Sequence, residues 1–285
     1  MLCIIRFFMK VTNGINIFAA SIFLPILLLG VFNISGINGI FYSPVSYAVI
    51  SLVIFLLGVA ILYYSIRGFL ADGSLRLLLI GIGIFIGAVF IFIHTFFPDA
   101  RFGFAYEDGD FNTHFSWFLS LATLMMSVFL FLTVGLKERS VVIKRRLGIL
   151  VINTLIVLVV LICSWFVVST ATEMGIVVSA TAVRWTPLGR FLQAGTIMLL
   201  AVSAIRYLHG AFLIRSEVAL AFATGIVLLV MSELTFAGVQ VLFDPFFWAA
   251  HIWLLMSMLS FLWGSYVSQK THVHGTAISD TGVIK

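Results

Sequence analysis

The sequence predicts an all-α fold, a polytopic transmembrane helix bundle of about eight helices with both termini in the cytoplasm. Three observations lead to this fold class. Hydrophobic residues account for 62% of the 285 positions and charged residues for only 9%, whereas a soluble domain usually carries about 25% charged residues. Apolar stretches long enough to cross a bilayer recur along the chain. Lysine and arginine concentrate in alternate connections between these stretches.

Eight apolar stretches reach the roughly 20 residues that a helix needs to cross the hydrocarbon core. In chain order they cover residues 11–32, 44–66, 75–97, 111–134, 147–168, 187–208, 218–242 and 246–267. The first follows Arg6 and Lys10 and imitates a signal peptide, but no small-residue cleavage site follows it, so we expect a retained helix. In the third, the spacing of Gly83 and Gly87 favours the close approach of another helix.

The orientation follows from the distribution of lysine and arginine. If the N-terminus is inside, 13 of the 16 basic residues fall on the cytoplasmic side, as the positive-inside rule requires. The three that remain outside are Arg101, Arg184 and Arg190, and the outer connection at residues 98–110 is acidic. An even number of helices then returns the C-terminus to the cytoplasm.

Composition also limits the function classes and the domain organisation. The net charge of +5 comes from basic residues scattered at helix ends, which suits anionic lipid better than nucleic acid. Cys3 and Cys163 should lie near opposite faces of the membrane, too far apart for a disulfide. No linker-like stretch divides the chain. We therefore expect one transmembrane domain at residues 1–267 and a short polar cytoplasmic tail at residues 268–285.

Four ionisable side chains within the apolar stretches are the first candidates for a site. His94, His114 and His251 fall at a similar depth in the outer leaflet, and Glu233 lies deeper in the seventh predicted helix. A charged side chain at the bilayer centre costs about 2.5–3.5 kcal/mol on insertion scales. We expect Glu233 to face the bundle interior, where it is either paired with a basic neighbour or held protonated.

Three further polar residues accompany these four. Gln240 lies on the same helical face as Glu233, and Arg190 and Gln193 enter the sixth predicted helix from the outer side. The pairing partners we expect for Glu233 are Arg190 and His251. The sequence thus predicts an outer-leaflet polar cavity between several helices, with these seven residues as its ligand-binding groups.

Three chemistries remain open for such a cavity. The three histidines His94, His114 and His251 suit a transition metal, because neutral imidazole is a common ligand for copper, zinc and iron, and two of them suit a haem. The same residues suit a non-metal ligand or a proton-sensing site, or hydrogen bonds between neighbouring helices. No HxxxH, HExxH or CxxC spacing selects among these alternatives.

Short motifs from the third predicted helix onward resemble those of a known family. They are Ile93-His94-Thr95, Asn112 with Trp117, Thr186-Pro187, the run from Ser232 to Phe236, and Ala250-His251. In their order and spacing they are similar to the bacterial membrane-associated sensor (MASE) domains, most closely the third subclass. The run Ser-Glu-x-x-Phe and the histidine that follows alanine are the more specific elements.

The resemblance implies a function in signalling at the bacterial inner membrane. MASE domains are thought to sense a small ligand or a membrane condition and to signal to an attached diguanylate cyclase or histidine kinase. Residues 268–285 are too few for a catalytic domain, so we expect a stand-alone sensor that acts on a separate cytoplasmic signalling protein, and not an enzyme. The alternatives are a metal- or haem-binding redox subunit that interacts with quinol, and a transporter.

The orientation is testable with reporter fusions. We expect the connection at residues 137–146 and both termini to lie in the cytoplasm and the acidic connection at residues 98–110 to lie outside. An alkaline phosphatase fused after Ser140 should be inactive, and one fused after Asp108 should be active. Phosphatase activity from the fusion after Ser140 would overturn the whole orientation.

Overall fold

The computed structural model describes residues 44–96, 113–136, 141–170, 185–214, 216–239 and 244–280. These residues form seven α-helices, each long and apolar enough to cross a membrane. The helices are α1 (Pro44–Asp72), α2 (Leu75–Phe96), α3 (Thr113–Val134), α4 (Ile143–Thr170), α5 (Pro187–Ile214), α6 (Glu217–Ala237) and α7 (Pro245–Asp280). They confirm the all-helical, multi-pass class and correspond to the second to eighth predicted helices. The first predicted helix, at residues 11–32, lies outside the described residues, so the count of eight and the orientation stay predictions.

Several helices extend beyond the apolar stretches that predicted them. The fifth predicted helix begins at Ile143 rather than residue 147, and α7 continues to Asp280 through most of the predicted polar tail. Hydropathy measures the length that lies in hydrocarbon, whereas backbone hydrogen bonding continues until a cap or a breaking residue ends it. The sequence therefore predicts the spans better than the helix ends.

Six of these helices pack as a closed ring. Each contacts two neighbours in the order α1, α2, α3, α5, α6, α7 and back to α1, and we call this arrangement the six-helix ring. Helix α2 has the most buried span of the seven, whereas α4 lies outside the ring against α1, α2 and α3 with its apolar side chains largely exposed. Polar side chains are consequently sheltered where ring helices meet.

Small residues bring α2 and α3 into close contact. A Cβ atom added at Gly83 would overlap the side chain of Phe129, and one added at Gly87 would overlap Met126. Van der Waals packing of this kind stabilises helix pairs in lipid, where apolar burial alone gives no advantage. The close approach predicted from the spacing of these two glycines is confirmed.

Buried hydroxyl groups form hydrogen bonds between ring helices. The Thr95 hydroxyl of α2 donates to Ser51 of α1 at 3.0 Å, and the hydroxyls of Thr133 on α3 and Tyr207 on α5 lie 2.7 Å apart. Such bonds in a bilayer are worth about 0.6 kcal/mol on average. Their main effect here is to leave fewer buried polar atoms unsatisfied.

The connection between α1 and α2 holds the ring against α4. Gly73 ends α1 in the left-handed region with φ +74°, and its carbonyl accepts a hydrogen bond from Val141 N–H at 3.0 Å. The guanidinium of Arg146 donates to the carbonyls of Leu70 at 2.6 Å and Ala71 at 2.7 Å. These are carbonyl groups of the last helical turn, which lack partners within their own helix.

Replacing Gly73 by alanine should destabilise the protein. A Cβ at this position lies 2.6 Å from the backbone nitrogen of Val141, and the left-handed conformation itself costs a non-glycine residue about 1–2 kcal/mol. Gly148→Ala is the matched control, because that helical glycine has open space around it and alanine favours the helix by up to about 1 kcal/mol. Thermal unfolding in detergent should fall for Gly73→Ala and stay level or rise for Gly148→Ala. Equal effects would contradict this description of the turn.

Candidate functional site

A small polar cavity lies where α3, α5, α6 and α7 meet. Its polar lining includes Thr123, Trp185, Gln193, Ser232, Glu233 and His251. The space open to the centres of water molecules is about 20 Å³, and one water needs about 10–15 Å³ on this measure. The cavity therefore has room for one or two guests of the size of water.

Glu233 is the acidic group of this lining. It is 6% exposed, so it faces the bundle interior, as its insertion cost predicted. Its carboxyl group lies beside the hydroxyl of Thr123 on α3, whose hydrogen is directed at backbone carbonyls of its own helix. Arg190, one of the two expected partners, is exposed and does not line the cavity. The structure thus places Glu233 beside a hydroxyl group rather than beside that arginine.

Gln193 approaches Glu233 from the neighbouring helix. Its Nε2 atom donates to the backbone carbonyl of Glu233 at 3.3 Å. Ser232, the residue before Glu233, donates its hydroxyl hydrogen to the carbonyl of Ala250 on α7 at 2.8 Å. These two bonds connect α6 to α5 on one side and to α7 on the other, and so fix the helical turn that carries the carboxyl group.

The start of α7 sets the orientation of His251. Asp244 caps the helix, because its carboxylate accepts a hydrogen bond from the Phe247 N–H at 2.7 Å. One turn on, the Nδ1 atom of His251 lies 2.8 Å from the Phe247 carbonyl oxygen. A carbonyl only accepts, so Nδ1 carries the hydrogen and neutral His251 has a lone pair on Nε2. Among the described residues this buried Nε2 has no hydrogen-bond partner.

His94 lies beside the cavity rather than in its lining. The ring of Tyr47 on α1 makes edge contacts with both histidines, at a centroid distance of 6.0 Å from His94 and 5.1 Å from His251. Both histidines are buried. The structure therefore brings His94 and His251 to one aromatic ring, and Tyr47 is a residue that sequence reasoning missed.

The remaining predicted site residues are Gln240 and His114. Gln240 and the side chain of His114 lie outside the described residues, so their places in a site stay predictions. Within the described part of the chain, no three His, Cys, Asp or Glu residues are grouped closely enough to hold a metal ion. The proposed three-histidine ligand set includes His114 and is therefore not tested.

The spacing of polar residues in the sequence marks the hydroxyl-bearing side of the cavity. Ser120 and Thr123 are three positions apart on α3, and Gln193 and Thr196 are three apart on α5; all four line the cavity. Polar residues at this spacing share one helical face. In an otherwise apolar helix, such a face must point away from lipid.

Comparisons of the chain with protein-family models, with curated proteins and with solved structures find no match. Inferences about function consequently depend on the side chains of the cavity and on their chemistry.

Replacing Glu233 by methionine should stabilise the protein. An apolar replacement of similar length removes the desolvation cost of the carboxyl group, a gain of about 1 kcal/mol. Glu217→Met is the matched control, because Glu217 lies in the first turn of the same helix, where its negative charge is favourable. Thermal unfolding in detergent should rise for Glu233→Met and fall slightly for Glu217→Met. A loss of stability in Glu233→Met would assign the carboxyl group a structural role.

Proposed function

We propose that this chain is a stand-alone sensory protein of the bacterial inner membrane, which binds a small ligand or ion in the cavity and signals to a separate cytoplasmic protein. The observation that carries the proposal is the meeting of Glu233 and His251 at one water-sized cavity. The two residues come from adjacent ring helices, and the bundle around them is overwhelmingly apolar.

The cost of these side chains supports a functional role. Ionisable groups within membrane spans are rare because each is expensive to insert, and those that persist usually mark ligand, ion or proton sites. The buried Nε2 atom of His251 has no partner among the described residues, which is unfavourable for stability alone. A structural role would be served more cheaply by serine or threonine, which this chain uses at its other helix contacts.

The size and position of the cavity favour sensing over the handling of a large substrate. A space for one or two water-sized guests suits a small ion or molecule whose binding adjusts the packing of the surrounding helices. Four of the six ring helices contribute to the lining, so a change in occupancy acts on most of the ring. Ser232, Glu233 and His251, which carry much of the resemblance to MASE domains, all contribute to this lining, and their meeting supports the sensor interpretation.

The basic segment at residues 137–146, which leads from α3 into the first turn of α4, is the proposed output surface. The described part of this region contacts the end of α1 through Arg146, while Lys144 and Arg145 are exposed. On the predicted orientation this surface faces the cytoplasm. A separate signalling protein there would detect movements of α1 and α4.

A cellular experiment tests this function with a matched pair of variants. Transcript profiles of the native host are compared among the wild type, a deletion strain, and strains that carry Glu233→Gln or Glu217→Gln at equal membrane levels. Glutamine nearly preserves the shape of glutamate, so we expect both proteins to accumulate. The profile of Glu233→Gln should match that of the deletion strain, and the profile of Glu217→Gln should match the wild type.

Two outcomes would reject the sensor function. If Glu233→Gln is indistinguishable from the wild type while the deletion changes the profile, the cavity is not the sensing site. If the purified wild-type protein instead shows the visible absorption spectrum of a haem, the redox alternative replaces the proposal.

A further inference from the structure

Three side chains of the cavity lining direct a hydrogen atom at a backbone carbonyl. The Ser232 hydroxyl donates its hydrogen to Ala250, and the Gln193 amide donates to the Glu233 backbone. On His251 the hydrogen sits on Nδ1 and is directed at Phe247. Each of these groups has thus used a donor on the backbone and retains acceptor capacity, namely a hydroxyl lone pair, the Gln193 Oε1 atom and the His251 Nε2 atom.

Glu233 adds further acceptors. An ionised carboxylate offers about four acceptor positions, and the Thr123 hydroxyl beside it directs its hydrogen at backbone carbonyls. The donors among the described lining residues are the Trp185 indole, whose buried Nε1 atom has no hydrogen-bond partner in the described part of the chain, the second amide hydrogen of Gln193, and the hydroxyls of Ser120 and Thr196. Each hydroxyl also accepts hydrogen bonds. The cavity therefore contains more acceptors than donors.

The charge of the lining also favours a positively charged guest. Its described titratable residues are Glu233 from α6 and His251 from α7, whereas α3 and α5 contribute hydroxyl and amide groups. The ring of Tyr47 on α1 contacts His251, and His94 on α2 contacts the same tyrosine ring. No lysine or arginine is among the described lining residues, so an ionised Glu233 needs its positive partner from a guest.

We infer that the guest of this cavity is ammonium, a water-sized cation that donates hydrogen bonds; this inference rests on the proposed function. Ammonium has four hydrogens and a positive charge, whereas a neutral water has two hydrogens and no charge. Ammonium is close to water in size and so fits the space of about 20 Å³. The bare Nε2 atom of His251 accepts an N–H or O–H hydrogen, whereas alkali-metal ions prefer ligands that are all oxygen.

An ion series on the purified wild-type protein tests the class of guest. Thermal unfolding in detergent is followed during titration with ammonium, sodium, potassium or tetramethylammonium chloride at constant pH and ionic strength. Ammonium should raise the unfolding temperature in a saturable manner, since a ligand that binds the native state stabilises it. Sodium, potassium and the bulkier tetramethylammonium should have no such effect. Equal stabilisation by sodium and ammonium would overturn the hydrogen-donor part of the inference. An unfolding temperature that does not respond to ammonium would contradict the inference.

Variants assign the effect to the cavity. In Glu233→Gln the apparent affinity for ammonium should fall by about tenfold or more, the loss expected for a hydrogen bond to a charged group. Glu217→Gln should behave like the wild type. An unchanged response in Glu233→Gln would place the bound cation elsewhere.

The proposed sensory function and the proposed guest can be rejected separately. A changed transcript profile in Glu233→Gln without any ammonium response in the purified wild-type protein would retain the sensory function and reject this guest. A cation response in purified protein that depends on Glu233, with an unchanged transcript profile, would retain the cation site and reject the sensory function.

Discussion

The hydrocarbon core of the bilayer is the constraint on which this structure depends, because lipid offers no hydrogen bonds to a polar group. A polar side chain within a span is therefore costly unless it is turned toward partners inside the protein. The six-helix ring meets this requirement by turning hydroxyl, amide and ionisable groups toward helix contacts. Helix α4 shows the converse, since its largely exposed apolar side chains suit a position outside the ring.

The same constraint explains how much could be predicted from the sequence. The seven described helices were all predicted, because a span needs a long apolar stretch and little else. The burial of Glu233 and the close approach at Gly83 and Gly87 were also predicted, since each follows from a local cost or a local spacing. Helix ends were less accurate, because nothing in hydropathy marks where backbone hydrogen bonding stops.

Neighbour relations between helices could not be predicted in this way. In lipid, many pairings of apolar helices bury similar surfaces, so the order around the ring depends on details of packing. Arg190 was expected beside Glu233 because both lie in outer halves of their helices, yet it is exposed. Tyr47 gave no signal in a chain with 15% aromatic residues, although its ring contacts both buried histidines.

The hydrogen bonds of Arg146 have a consequence for how topology is studied in this protein. Basic residues near helix ends are commonly treated as interchangeable determinants of orientation, but this guanidinium also braces the end of α1 through two backbone carbonyls. Neutralising Lys144 or Arg145, which are exposed, changes the electrostatic bias during insertion. Neutralising Arg146 changes this bias too, and it also removes a tertiary contact. An exchange of Arg146 for lysine keeps the charge but not the planar fork of donors, and so separates the choice of orientation from the assembly of the inserted helices.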